Sequence, residues 1–282
     1  MKISFACFAL ATIIFFSGCT SLPFFSDQNK IADQLVFGSD FEKIQIKTNP
    51  FLLTGYSRIA GKSSPLLRLY IEGDGYAWIT PTRPSGNPTP YNPVGLKLAL
   101  ADSSSNVVYL ARPCQYTKPE LDPACNDFFW TAGRFSETVI NSMNEAIDFL
   151  IKKYQAGKIE LVGYSGGGAV ALLLAVRRHD IVSVRTVAGN LNPEAVNQYH
   201  KVSTLKSSLN PLDFAPLIAA LPQQHFTGSK DNIVPPFIAE SYLKASGESK
   251  CVQIVPVENA SHDSLWIDDW QKLLKTPFRC KT

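Results

Sequence analysis

Residues 163–167 read Gly-Tyr-Ser-Gly-Gly, the clearest chemical signal in the chain. The apolar run 158–164 predicts a strand, and the spacing of apolar residues over 169–177 predicts a short, strongly apolar helix. Ser165 falls in the turn between them. A serine held there leaves no room for side chains two positions away on either side, and Gly163 and Gly167 meet that demand. Its hydroxyl is presented for attack on an electrophilic carbonyl, provided a base removes the proton. Candidate bases are His179, His200, His225 and His262; candidate acids to orient one of them are Asp231 and Asp213. The competing reading is a glycine-rich turn that packs closely or binds phosphate at the helix N-terminus. No Lys stands in the P-loop position.

The elements needed to hold such a site are legible as alternation. Runs 51–59, 66–74, 106–113, 158–164, 183–187, 225–227 and 252–257 read as strands. Residues 137–153 place Val139, Ile140, Met143, Ile147, Leu150 and Ile151 on one side of a helix, and 236–245 predicts another. Strands alternating with helices predict an α/β architecture, a mostly parallel sheet with helices on both faces. Two irregular stretches could shape a substrate site: the proline-rich loop 81–93 and the excursion 191–222, long enough for a small lid. Trp130, in Phe128-Phe129-Trp130, reads as core packing.

With strand before and helix after, Gly163-Tyr164-Ser165-Gly166-Gly167 resembles the nucleophile turn of the α/β-hydrolase family. That family runs its triad in the order Ser, acid, His, and only His262 follows a plausible acid. The resemblance therefore implies Ser165 as nucleophile, Asp231 in Gly228-Ser229-Lys230-Asp231 as the acid and His262 in Ala260-Ser261-His262-Asp263 as the base. It implies an oxyanion hole made by the N–H of Gly166 and a second N–H from the loop after an early strand. Glu72-Gly73-Asp74-Gly75 is similar to the family's His-Gly-x loop, with Glu72 in place of the histidine; the donor expected is Asp74, with Gly75 as the alternative. The implied activity is a serine hydrolase acting on a small-molecule or lipid-like acyl substrate, a carboxylic ester first, with no metal or organic cofactor. Alternatives are a thioesterase or peptidase of the same fold, or a non-catalytic envelope lipoprotein that binds a ligand or partner.

The chain's 282 residues, 45% hydrophobic and 18% charged with net charge +3, exclude disorder, collagen and coiled coil. No basic run exceeds two residues, so a nucleic-acid partner is not expected. Met1 and Lys2 precede an apolar run over 3–16 that is too short to span a bilayer comfortably and suits a signal peptide. Phe16-Ser17-Gly18-Cys19 resembles a bacterial lipobox, which implies cleavage after residue 18 and acylation of Cys19. The organisation expected is thus a signal over 1–18, a tether and lead-in over 19–50, and one hydrolase domain over 51–282. The location expected is the bacterial envelope, lipid-anchored, with Thr20 hinting at the outer membrane facing the periplasm. Cys7 goes with the signal, leaving Cys114, Cys125, Cys251 and Cys280. In an exported chain these suggest two disulfides; of three connectivities, the local Cys114 with Cys125 and Cys251 with Cys280 is favoured.

Overall fold

A strand covered on both faces must be apolar throughout, whereas an edge strand needs only one apolar face. That distinction explains most of the architecture in the computed structural model, which describes residues 27–60 and 65–280. In chain order the elements are α1 Gln28–Val36, β1 Glu42–Lys47, β2 Leu52–Ile59, β3 Leu66–Ile71, β4 Trp78–Thr80, β5 Arg83–Pro84, α2 Val94–Ala101 and β6 Asn106–Leu110. They continue with α3 Glu137–Tyr154, β7 Lys158–Tyr164, α4 Gly166–Ala175, β8 Ile181–Val187, α5 Pro193–Tyr199, β9 Gln223–Gly228, α6 Phe237–Ala245, β10 Val252–Val257 and α7 Trp266–Leu274. Cys19 and the apolar run before it lie outside the described residues.

Eight strands form one sheet in the order β1-β2-β6-β3-β7-β8-β9-β10. Every pairing from β6 to β10 is parallel, while β2 runs antiparallel to both its neighbours. The expected mostly parallel sheet is present. Side chains alternate between two cores: Leu67, Leu69, Ile71, Val108, Leu110 and Leu161 join α3, α4 and α6, while Tyr70, Val107, Tyr109 and Val162 join α1, α2 and α7. Fully burying such side chains contributes about 1.5–3 kcal/mol each. On the second face Trp270 reaches Tyr70 by an Nε1–H to hydroxyl bond of 2.9 Å and meets the rings of Tyr70 and Phe226 edge-on.

The order of connection reverses between β3 and β7: from β3 the chain goes on to β6 on one side, and from β7 to β8 on the other. Loops leaving the carboxyl ends of two such strands splay apart and open a crevice. Residues 72–75 leave β3 there, and Ser165 leaves β7.

Three expectations are corrected. The lead-in 19–50 is not a tether throughout. α1 buries Ala32, and β1 pairs with β2 while burying Ile44 and Ile46, so the folded body begins near Gln28 rather than at residue 51. The excursion 191–222 is no lid over Ser165. It folds as α5 and a 3-10 segment Pro211–Ile218, whose Val196, Ala215 and Ile218 pack into the core beneath the sheet. Finally, β3 ends at Ile71, so residues 72–74 are loop rather than strand. The cysteines pair as favoured, Cys114 with Cys125 and Cys251 with Cys280. Trp130 packs against the core near the first of these bridges and gives its Nε1–H to the Ser85 carbonyl at 3.2 Å.

The corrected boundary is testable. A chain starting at Thr48 lacks the buried Ala32, Phe41, Ile44 and Ile46 that a chain starting at Asp27 keeps. Three large apolar side chains at about 1.5–3 kcal/mol each approach the whole stability of an ordinary domain, about 5–15 kcal/mol. The shorter chain is expected to show no cooperative thermal transition by circular dichroism, whereas the longer one melts cooperatively; matching melts would show α1 and β1 to be dispensable.

Candidate active site

Ser165 has φ of +49°, a conformation that costs a non-glycine residue energy and is held here by its surroundings. Its N–H donates to Val187 of β8 at 2.9 Å, and its carbonyl accepts from Gly168 and Asn190, each at 2.9 Å. The flanking glycines are required by contact. A Cβ on Gly163 would lie 2.3 Å from the Gly167 carbonyl oxygen, and one on Gly167 would lie 2.3 Å from the Ile71 oxygen of β3. The turn is pressed against the neighbouring strand, and the serine side chain is thereby lifted out of it.

Asp231 sits just beyond β9, buried, with its carboxylate fixed by the chain that follows: Oδ1 accepts the N–H of Ile233 at 2.9 Å and of Val234 at 2.8 Å. Oδ2 is left to face His262 Nδ1 at 2.9 Å. A carboxylate can only accept, so Nδ1 carries the proton and Nε2 presents its lone pair to Ser165 Oγ, 3.0 Å away. The histidine loop after β10 is pinned through its backbone. The His262 carbonyl accepts from Tyr164 Oη at 3.2 Å and from Trp266 Nε1 at 2.9 Å, and the Tyr164 ring lies 5.4 Å from the imidazole. The residues proposed from sequence as nucleophile, acid and base therefore meet in one hydrogen-bonded line.

The other histidines and the rival acid are elsewhere. His225 is fully buried against Thr186 Oγ1 at 2.9 Å, and burial pulls it down to about 3, so it stays neutral. His179 is exposed beyond α4. His200 is exposed and bonds the Ile233 carbonyl at 2.8 Å, and Asp213 is exposed on the 3-10 segment.

The loop leaving β3 is held from three sides. Glu72, fully buried, accepts the N–H of Gly73 at 2.9 Å and the N–H groups of Gly95 and Leu96 at 3.1 and 3.3 Å. It also accepts the Tyr109 hydroxyl at 3.1 Å. Pro93, which precedes α2, offers no capping side chain, so Glu72 caps that helix from a distance. Burial pushes its carboxyl above the usual range, with these donors pulling the other way. Gln115 Nε2 donates to the Gly73 carbonyl at 3.0 Å, and the Tyr76 N–H to the Pro88 carbonyl at 2.9 Å. Asp74 pairs with Arg112 and Arg134. Among the described residues the N–H groups of Asp74, Gly75 and Gly166 have no acceptor within the chain, whereas that of Gly73 is taken by Glu72. Sequence reasoning missed the roles of Glu72, Arg112, Arg134, Tyr164 and Trp266. Only the charge of Glu72 at the start of the loop was a visible signal.

Ser165 and His262 open onto a cavity of about 370 Å³ whose walls include Gly75, Tyr76, Pro90, Tyr91, Tyr164 and Ile233. Pro90 and Tyr91 belong to the proline-rich loop 81–93, as expected, and residues 191–222 do not line it. Among the described residues no group of three or more His, Cys, Asp or Glu side chains could hold a metal ion.

Comparison with solved structures agrees with this fold. An esterase from Pyrococcus furiosus superposes with a TM-score of 0.57 at 14% identity, covering 83% of this chain and 90% of its own. A member of the α/β serine hydrolases without lid from Xanthomonas campestris gives 0.55 at 12% identity, covering 86% of this chain and 97% of its own. An acylaminoacyl peptidase from Pyrococcus horikoshii gives 0.56 at 12% identity, covering 85% of this chain and 43% of its own. This is the α/β-hydrolase fold. No protein-family model and no curated protein matches the sequence.

The crowding at the serine turn sets a contrast between two glycines. Gly167→Ala drives a Cβ into backbone of β3, whereas Gly86→Ala meets nothing within 4 Å. Urea unfolding is expected to show a loss of about 2–3 kcal/mol for the first, and a change within about 0.5 kcal/mol for the second. Equal stabilities would mean that the turn is not pressed on β3.

Proposed function

We propose that the protein is a serine hydrolase that cleaves an acyl bond, a carboxylic ester first, through an acyl-enzyme. The observation carrying this reading is the continuous line from Asp231 Oδ2 to His262 Nδ1 at 2.9 Å and from Nε2 to Ser165 Oγ at 3.0 Å, at the floor of an open cavity. In the proposed sequence, Ser165 Oγ attacks the acyl carbon while His262 Nε2 takes the hydroxyl proton. Asp231 stabilises the imidazolium that forms, and the oxyanion takes hydrogen bonds from the N–H groups of Gly166 and Asp74. Collapse breaks the bond to the leaving oxygen, which receives the proton from His262. Water then repeats the steps: His262 deprotonates it, it attacks the acyl-serine, and the acid leaves with Ser165 reprotonated.

The walls favour an uncharged acyl ester of modest size. Tyr76, Pro90, Tyr91 and Ile233 supply apolar surface, the carboxylates of Glu72, Asp74 and Asp263 also line the cavity, and among the described residues no Lys or Arg does, which disfavours an anionic substrate. The reading extends to the cell envelope: residues 16–19 support acylation of Cys19, with the hydrolase facing the periplasm from the outer membrane.

Treatment with a fluorophosphonate followed by peptide mass analysis is expected to give one adduct, on Ser165, abolished in His262→Ala. Against nitrophenyl esters, Ser165→Ala is expected to lose at least about 10³-fold in kcat, and Asp231→Asn about 10³- to 10⁴-fold. A folded protein with neither adduct nor turnover on ester, thioester or peptide panels would instead be a binding protein on this fold.

A further inference from the structure

A backbone N–H is only as well placed as the peptide that carries it. Asp74 lies between Gly73 and Gly75, the latter with φ of +67°, so its own backbone is intrinsically loose. The peptide that carries its N–H is held at the Gly73 carbonyl by Gln115 Nε2 at 3.0 Å, and the Asp74 side chain adds a second restraint. Asp74 Oδ1 lies 3.3 Å from Arg112 Nη1, and Oδ2 lies 3.3 Å from Arg134 Nε. The arginines are themselves immobilised: both guanidinium groups stack near the Phe135 ring, at 5.3 and 5.5 Å from its centroid, and Arg112 Nη2 donates to the Arg134 carbonyl. Their side chains are 5% and 11% exposed against 22% for that of Asp74, so the charges meet away from bulk water, where screening is weak.

The same carboxylate reaches the other half of the oxyanion site. Asp74 Oδ1 rests on the first residue of α4, so close that a Cβ on Gly166 would lie 2.0 Å from it. One side chain thus touches the backbone of both Asp74 and Gly166, two of the three residues whose N–H groups are left without acceptors.

We propose that Arg112 and Arg134, acting through the Asp74 carboxylate, are positioning residues that set the spacing of the oxyanion hole. The inference rests on the serine-hydrolase reading above and on Asp74 as the second donor. A clamp of this kind acts on the transition state more than on the bound substrate, and that separates it from an ion pair that only stabilises the fold.

The test compares wild type, Arg134→Met, Arg134→Lys and Asp74→Asn, using nitrophenyl butyrate turnover and the affinity for phenylboronic acid, which becomes tetrahedral on the serine. Arg134→Met is expected to lower kcat by about tenfold to a hundredfold while KM moves less than about threefold. Boronate affinity should fall in proportion to kcat/KM, and Arg134→Lys should recover part of both. If Arg134→Met does not melt cooperatively, Asp74→Asn decides, with the same kcat-weighted loss expected. A variant that melts earlier yet keeps wild-type kcat and boronate affinity makes the clamp merely structural and overturns the proposal. Wild type that neither turns over ester nor binds boronate, like Ser165→Ala, defeats the hydrolase reading itself and this inference with it.

Discussion

The contact on which this molecule depends is the crossing of the Ser165 turn over the end of β3. The backbone at Gly167 comes so near the carbonyls of Ile71 and Glu72 that no side chain fits, and the turn accepts a positive φ at a serine as the consequence. A turn of that shape is unfavourable in isolation. It persists because α4 behind it is buried along its whole length, from Gly166 to Ala175, and because β3 and β8 pair with β7 on both sides. The core therefore supplies, through many ordinary apolar contacts, the energy that one strained serine turn requires. Positions that look like generic packing, such as Leu172 and Leu173, are part of the reason that Ser165 points where it does.

From that crossing the rest of the site follows by adjacency in the sheet. The loop after β3 lies against the serine turn, where a Cβ on Gly73 would meet that of Ser165 at 3.3 Å, so the unpaired N–H groups of this loop are carried next to Ser165. β9 and β10 are neighbours in the sheet and parallel, with Gly228 paired to Val257, so the loops that leave them carry Asp231 and His262 out side by side. The distance between the acid and the base is thus fixed by strand spacing and register before either side chain chooses a rotamer. The backbone N–H groups of Ile233 and Val234 and the donors Tyr164 and Trp266 then set the final orientation.

The sequence made the local parts of this plain and left the non-local parts open. A strand, a small-residue turn around Ser165 and an apolar helix are all encoded within about twenty residues, and they fold as read. Asp231 and His262 were identifiable only through the order of residues in a resembling family, since nothing near either one says that they meet. β1 alternates charged with apolar side chains, as an edge strand can, and so passed for a polar lead-in; only its pairing with β2 reveals it. The excursion 191–222 carries few strand signals, but its apolar residues are spaced to cover α4 and α6 rather than the serine. Arg112 and Arg134 belong to no motif at all. They matter because β6 lies beside β3, which brings the chain leaving β6 up against the loop leaving β3.

Four carboxylates lie within this small region, Glu72, Asp74, Asp231 and Asp263, and the partners of the first three separate their roles. Glu72 has both oxygens engaged, by backbone N–H groups and a tyrosine hydroxyl, so no face is left for a histidine or a substrate; it is a helix cap that also grips the loop. Asp74 is matched with two guanidinium groups, so its charge is balanced within the protein and directed at backbone position rather than at proton transfer. Asp231 alone has one oxygen held by backbone and the other directed at an imidazole. An acid that must support a transient imidazolium needs that division: one oxygen fixed so that the group cannot rotate away, and one free to strengthen its bond as charge develops. Had Glu72 been read as the family histidine's functional substitute, its saturation by donors would have argued against the role. The same test, applied to Asp231, selects it over Glu72 and Asp74.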